Sequence, residues 1–294
     1  MDFYANLHLH STHSDGPYTP RELVKVAKEE GYSAIAITDH DTATAYPELK
    51  AAADEYGMEC IFGAEFTSPA PVCCHITAFN FDPEYPPMKK YLADMAFRQT
   101  DNTKKCFDEA VKNGSITGVT WDEVLEFNKG IAWLCNNHVF NLLTAKGIEK
   151  TENYMNWFNK NFREQRGKYP PVSNFLPTDK LIGLIKDAGG IAILAHPVAD
   201  GLDYLDELIG YGLDGVEVWH ADMSEEERGR AYELAIEKGL FISGGSDHSG
   251  LLGGYYSSYP DEQALKKSNI YIPPHSVGTT KEFFEEIKNS KIKR

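Results

Sequence analysis

The stretch Asn6-Leu7-His8-Leu9-His10-Ser11-Thr12-His13-Ser14-Asp15-Gly16 decides how the rest of the chain is read. Successive side chains of a strand point to opposite faces. Leu7 and Leu9 therefore pack one way while His8 and His10 point the other. Two imidazoles at a strand's end, followed by Asp15 before the Gly16 turn, can converge on one metal ion. The plainer reading is a strand carrying ordinary surface histidines. Suitable partners recur far down the chain, each near the end of an apolar run, and that recurrence favours the metal.

The 294 residues, 42% of them hydrophobic, suffice for one large domain, or one domain carrying a smaller second one, around a sizeable core. A net charge of −15 argues against stable duplex nucleic-acid binding, which needs a basic footprint. That argument softens once metals bind, since two or three divalent ions return roughly four to six positive charges. The five cysteines, Cys60, Cys73, Cys74, Cys106 and Cys135, show no Cys-x-x-Cys spacing, so reduced thiols and a cytoplasmic setting are expected. Met1-Asp2-Phe3-Tyr4 does not open a signal peptide. No apolar run approaches the ~18 residues of a membrane span.

Thr19 and Pro20 open a helix that Gly31 ends, as N-cap and first helical residue. Residues 33–38 read as a buried strand delivering Asp39-His40-Asp41. A helix over 44–56 follows, then a strand over 59–64 ending in Glu65, then a strand over 72–80 with His75 inside it. This βαβα rhythm predicts a parallel sheet or barrel. From Pro86 the rhythm breaks, and 86–175 reads as a helical insertion domain between two parts of the main domain, 1–85 and 176–294. After Pro177 a helix over 178–188 leads into Ile191–Ala195 and His196-Pro197. Further units end at His220, after the strand 215–219, and at Ser246-Asp247-His248, after 240–245. Between them Ser224 and Glu227 form a capping box. Ile270-Tyr271-Ile272 and a helix over about 280–289 complete the wall.

The strand ends thus carry His8, His10, His40, Glu65, His196, His220, Asp247 and His248, with His75 in mid-strand. In a parallel barrel the carboxyl ends of the strands meet at one rim. Most of the ten histidines fall on or just after expected strands, where chance would scatter them. Imidazole with carboxylate is a ligand set for Zn²⁺, Mn²⁺ or Fe²⁺, and a carboxylate such as Glu65 can bridge two ions. Paired metals about 3.5–4 Å apart suit phosphoester hydrolysis.

With these motifs in place, His8-Leu9-His10-Ser11, Ser14-Asp15-Gly16, Thr38-Asp39-His40, Gly63-Ala64-Glu65, His75, Ala195-His196-Pro197 and Gly245-Ser246-Asp247, the chain resembles the polymerase and histidinol phosphatase (PHP) superfamily of metal-dependent phosphoesterases. Asn137-His138 with Leu142-Leu143 and Gly147 is similar to the insertion of the subgroup that hydrolyses nucleoside 3′,5′-bisphosphates and short RNA ends. The resemblance implies a distorted (β/α)₇ TIM-like barrel with two or three divalent metals. One metal would take His8, His10, Glu65 and Asp247; a second would share Glu65 and add His75 and His196; a third would use Asp15, His40 and a last histidine. The chain departs from the pattern there, because Ser249 stands where that histidine is expected. Either His248 substitutes for it or the third site is weak.

Several residues carry a plain reading beside a functional one. His13 is expected to be exposed, and His275 to lie on the surface. His220 is structural or lines the pocket. Asp39 orients an imidazole, and Asp41 caps the next helix. His138 packs the insertion or touches substrate. Arg163, Arg166 and Lys168 form a solvated helix end or capture phosphate. Cys73-Cys74 fills a buried strand. The expected function is hydrolysis of a phosphomonoester of a small phosphorylated metabolite, a nucleotide such as a nucleoside 3′,5′-bisphosphate, by a metal-activated hydroxide. Asp15, Glu65 and His196 would hold the ions that position it. The alternatives are a 5′→3′ exonuclease on short oligonucleotides, a non-catalytic metal-binding regulatory module, and a metal-dependent amide hydrolase.

Overall fold

The computed structural model describes residues 2–69, 74–169, 175–197, 199–247 and 276–290. The first three strands, β1 (Ala5–Asn6), β2 (Ala34–Ile35) and β3 (Glu59–Cys60), form a parallel sheet with Ala5 opposite Ala34 and Ala34 opposite Glu59. The helices between them are α1 (Pro20–Glu29) and α2 (Tyr46–Tyr56). A second sheet runs β4 (Gly63–Ser68), β5 (Cys74–Phe79), β6 (Ile191–Leu194), β7 (Gly215–His220) and β8 (Phe241–Gly245). The parallel steps from β6 to β7 and β7 to β8 are bridged by α8 (Leu205–Gly210) and α9 (Glu225–Lys238).

The wholly parallel arrangement expected from the sequence is corrected at β5, which is antiparallel to both β4 and β6. The few residues between Ser68 and Cys74 can return the chain only as a hairpin, since a parallel crossover needs about a dozen or more. The single strand expected over 59–64 is also two. β3 ends at Cys60 and β4 begins at Gly63 in the other sheet.

The fold is mixed α/β, and no closed barrel is found among the described residues. The margins of the two sheets meet through scattered hydrogen bonds. Along one, Glu65 N–H donates to Asp39 O (3.2 Å) and Asp41 N–H to Glu65 O (2.8 Å). Along the other, Leu7 N–H donates to Gly244 O (3.2 Å) and Asp247 N–H to His8 O (2.8 Å). The chain leaves regular pairing at both seams, where Asp41 and Asp247 adopt positive φ (49° and 55°).

The helix signals are legible in the structure. Thr19 and Glu22 make a capping box with Pro20 at the first position of α1, and Ser224 and Glu227 make another on α9. The main core joins Leu23 and Val24 of α1, Leu49 and Ala53 of α2, and Leu181, Ile182 and Ile185 of α7 (Thr178–Asp187) to the strands. A smaller cluster between the sheets holds Leu7, Ile61, Phe79, Ile193 and, from α10 (Lys281–Lys288), Phe284 and Ile287. The stretch after Pro86 is helical, with α3 (Pro86–Lys112), α4 (Trp121–Phe127), α5 (Asn136–Ala145) and α6 (Tyr154–Phe158). It has its own apolar cluster around Phe107, Val139, Leu143 and Trp157, while Met88, Tyr91 and Met95 at the start of α3 pack in the main core. Ile270-Tyr271-Ile272, Cys73 and His275 lie outside the described residues. No helix among those described is long and apolar enough to cross a membrane.

Gly245 sets how closely β8 approaches β1. A Cβ there would lie 2.4 Å from His8 N and 2.5 Å from His8 Cβ. Gly245→Ala must therefore push the two chains apart, and is expected to cost ~1–3 kcal/mol of stability as an overpacking change. A lowered thermal midpoint in a melt checks this, and a midpoint equal to that of the native chain refutes it.

Candidate metal centre

The site is built around Glu65, the third residue of β4, which is fully buried. Its Oε1 lies 3.3 Å from His8 Nε2, 3.0 Å from His75 Nδ1 and 3.0 Å from His196 Nε2. Its Oε2 lies 3.2 Å from His10 Nε2 and 3.1 Å from His40 Nδ1. Five imidazoles from four segments thus surround one carboxylate. Asp247 closes a second side, with Oδ1 2.8 Å from His10 Nε2 and 3.4 Å from His8 Nε2. Its Oδ2 faces His220 Nε2 at 3.4 Å and His196 Nε2 at 3.9 Å. Asp15, 44% exposed, stands at the mouth, 3.6 Å from His10 Nδ1 and 3.8 Å from His40 Nε2.

His75 reaches this cluster because β5 is antiparallel. The other strands bring their carboxyl ends to the rim, whereas β5 brings its amino end, and His75 is its second residue. His8 and His10 converge on the cluster while Leu7 and Leu9 are buried among apolar side chains, as alternation requires.

Burial alone would drive these imidazoles toward the neutral form. For His8 the carboxylates of Glu217, Asp247 and Glu65 outweigh burial and hold its pKa well above the usual histidine value. His10 is raised in the same way, against burial, by Asp247 and Glu65. His196 is pushed up to about 9, with Glu65 overcoming burial. His40 is lowered, by burial and by the neighbouring His10. Burial would raise Glu65 and Asp247, but the surrounding histidines hold both well below the usual carboxylate range.

The cluster has the donor set of a divalent-metal site. His8 Nε2, His10 Nε2, His40 Nδ1, His220 Nε2 and Glu65 Oε2 are buried without a hydrogen-bond partner. Leaving one such group unsatisfied costs about 1–3 kcal/mol, and these converge on common ground. His8, His10, Glu65 and Asp247 offer ligand atoms all within 4.8 Å of one another, as do His10, Asp15 and His40, and His40, Glu65 and His75.

Other expected residues fall differently. His138 is buried; its Nδ1 accepts Cys135 N–H (2.9 Å) and its Nε2 donates to Thr12 O (2.9 Å). Nδ1 caps the start of α5, whose N-cap is Cys135, and Nε2 braces that helix against the loop that carries Asp15, so neither is left for a substrate. Lys168 pairs with Glu109 at 2.7 Å. His248, Ser249 and the side chain of Arg166 lie outside the described residues. Arg163 lines a cleft of about 560 Å³ with Asp15, Trp133, Asn137, Tyr154 and Phe158. His13 is half-buried rather than exposed and bonds Thr44 Oγ1 at 2.8 Å. Asp39 does not grip an imidazole. It accepts from Ser11 N–H and Oγ (both 2.7 Å) and Ser14 Oγ (2.6 Å), tying down the loop after β1. Asp41 is not a helix cap, because it accepts from Thr67 on β4, and burial pushes its carboxyl up to about 7.

Two contributors escaped the sequence reading. Glu217, in the middle of β7, places both oxygens 3.1–3.2 Å from His8 Nδ1. Its one sequence signal is a charged residue inside the apolar run Gly215-Val216-Glu217-Val218-Trp219. Trp133 lays its ring 6.4 Å from that of His40 and has no signal at all.

The PHP domain family model matches residues 6–167, more than half of the chain. The chain belongs to that family and is a metal-dependent phosphoesterase. It is 26% identical to a phosphoribosyl 1,2-cyclic phosphate 1,2-diphosphodiesterase of Eggerthella lenta, over 84% of this chain and 95% of the relative. It is 31% identical to the 5′-3′ exoribonuclease Rnm of Salmonella typhimurium, over 82% and 84% respectively. A 3′,5′-nucleoside bisphosphate phosphatase of Chromobacterium violaceum is 26% identical over 82% of this chain and 86% of its own. Among solved structures, a chain from Bifidobacterium adolescentis described as a candidate metal-dependent phosphoesterase superposes with a TM-score of 0.75. It is 28% identical, over 99% of this chain and 97% of that one.

With the values of His8, His10 and His196 raised by the facing carboxylates, these rings are expected to carry protons at neutral pH in the metal-free protein, which divalent cations must displace. Raised histidine values are occupied below their pKa and empty above it. Metal uptake at pH 7 is therefore expected to release protons, with apparent affinity climbing as pH rises through the raised histidine values, His196 at about 9 among them. Titration calorimetry in two buffers of different ionisation enthalpy reads the proton count directly. Zero protons released at pH 7 contradicts the assignment.

Proposed function

We propose that the chain hydrolyses a phosphomonoester of a small phosphorylated metabolite, a nucleotide such as a nucleoside 3′,5′-bisphosphate. The observation that carries this reading is Glu65, buried among five histidines and adjoining, at Asp15, a bounded cleft of nucleotide size. The similarity to the bisphosphate phosphatase and to the cyclic phosphate diesterase supports a small phosphorylated substrate.

His8, His10, Glu65 and Asp247 would hold one ion; Glu65, His75 and His196 would flank a second; Asp15 and His40 would flank a third position, beside His10. Bound there, two to three divalent ions, Mn²⁺, Zn²⁺ or Fe²⁺, would neutralise the phosphoryl oxygens and lower the pKa of water so that it can act as nucleophile near neutral pH. Asp15 sits where the cluster meets the cleft, so it orients whatever enters. Trp133 and Tyr154 provide apolar walls, and Arg163 is a cation in the wall suited to a second phosphate. Cys135 Sγ–H donates to Ser14 O, and Asn137 Nδ2–H to Asp15 O. Through these bonds the insertion holds the loop that presents Asp15.

A second reading, 5′→3′ trimming of short oligonucleotides, is favoured by the relative at 31% identity. A panel pairing a nucleoside 3′,5′-bisphosphate with a 5′-phosphorylated oligomer at two salt concentrations separates them, since strand binding is salt-sensitive. Phosphate release from the bisphosphate at both salts is expected. Oligomer cleavage without bisphosphate turnover selects the second reading. His8→Ala and Glu65→Gln are each expected to lower kcat by on the order of 10²–10³-fold, and full turnover by either variant after metal reloading defeats the proposal. Arg163→Ala is expected to raise KM for the bisphosphate about 10-fold with kcat little changed, leaving KM for a monophosphate unaltered.

A further inference from the structure

We infer that Glu217 is a positioning residue of this centre, fixing the tautomer of His8 and clamping the backbone of His196. The inference rests on the metal-centre reading above and extends it to a residue that faces none of the cleft. Glu217 is 1% exposed, between Val216 and Val218, where the strand itself has no use for a charge. A buried carboxylate is costly unless its oxygens are satisfied, and here every close contact goes to the centre. Oε1 lies 3.2 Å and Oε2 3.1 Å from His8 Nδ1, and Oε2 also accepts His196 N–H at 2.8 Å.

An ionised carboxylate can only accept. In that contact His8 Nδ1 must therefore be the donor, which leaves Nε2 facing Glu65 and Asp247, 3.3 and 3.4 Å away. The bond to His196 answers a second need. His196 has φ +29°, a region that side-chain-bearing residues rarely adopt. Its ring meets Glu65 only while the backbone stays there. One carboxylate thus sets two of the five imidazoles, reaching from β7 across to β1 and to the end of β6.

Glutamine in its place makes the idea testable because its amide has one acceptor and one donor end. With the oxygen kept on His196 N–H, the NH₂ group faces His8 Nδ1, and in the neutral ring that a metal requires the one proton must sit on Nε2, pointing at the centre. With the amide reversed, two donors meet at His196. Either arrangement spoils one contact.

The test uses the full chain, stripped of metal and titrated with Zn²⁺ by chelator competition, native beside Glu217→Gln. Zinc affinity about 10–100-fold weaker in Glu217→Gln is expected, the usual range for loss of such a support, with the metal-free form still folded at a lowered melting midpoint. In the zinc-loaded native chain, ¹⁵N correlation spectra should show His8 bound through Nε2 with a proton on Nδ1. Equal zinc affinity for the two chains overturns the proposal. A native His8 bound through Nδ1, or bare at Nδ1, overturns it even where Glu217→Gln does not fold. A native chain that takes up no zinc overturns the metal-centre reading itself.

Discussion

The contact between the buried Glu65 carboxylate and five imidazoles is the constraint that the rest of the molecule serves. A carboxylate removed from water is costly by several kcal/mol unless matched by charge and hydrogen bonds. Glu65 is matched by His8, His10, His40, His75 and His196, and those rings in turn by Asp15, Asp247 and Glu217. Facing carboxylates and imidazoles offset part of the burial cost, and the imidazole nitrogens left without a hydrogen-bond partner are the part that divalent ions would satisfy. The same cluster also explains where backbone strain collects. Of the four non-glycine residues with positive φ among those described, His196 and Asp247 belong to the cluster and Asp41 adjoins His40. Strain of this kind persists only where surrounding contacts over-determine the conformation, as Thr67 does for Asp41, Glu217 for His196 and His8 O for Asp247.

The reversal at β5 has consequences for the helical stretch. Because β5 runs away from the rim, the chain leaves it at the far end of the sheet. α3 then carries it back. Its 27 residues span about 40 Å at ~1.5 Å per residue. Near its midpoint Thr100 Oγ1 donates to Ala132 O and accepts Leu134 N–H, gripping the segment that lays Trp133 beside His40. Packing records the same passage. The first turns of α3 belong to the main core and the later ones to the cluster around Phe107 and Val139. The helices therefore lie over the rim through the direction of one strand, and the boundary at residue 86 runs through shared core.

Much of this was legible in the residue order. The alternation around His8 and His10, the carboxylates and histidines at strand ends, and the caps at Thr19 and Ser224 are local patterns, and local patterns survive folding where the elements are regular. The direction of β5 is not local. An alternating strand reads the same whichever way it runs, so only the short link from Ser68 hinted at a hairpin. Glu217 was invisible for another reason. A charged residue in an apolar strand normally signals an exposed edge, and its partner His8 lies some two hundred residues away. Asp39, Asp41 and His138 were read through their sequence neighbours, whereas each bonds to a segment that only the tertiary fold brings near: the Ser11–Ser14 loop, Thr67 and Thr12.

The net charge of −15 sits oddly with a phosphorylated substrate until the charges are placed. Four carboxylates, Asp15, Glu65, Glu217 and Asp247, are gathered at the centre, and Asp15 alone of them is substantially exposed to the cleft. A phosphate approaching the metal-free rim meets that carboxylate first, and the half-buried histidines behind it are already committed to Glu65. Arg163, farther along the cleft wall, gives one anchoring charge but does not offset the repulsion at the reacting end. With divalent ions among the histidines the sign of the field at the mouth reverses, because bound cations are the largest local charges in such a site. Metal occupancy would then govern substrate capture as well as chemistry. The net charge works alongside it by disfavouring long polyanions, whose binding needs an extended basic track.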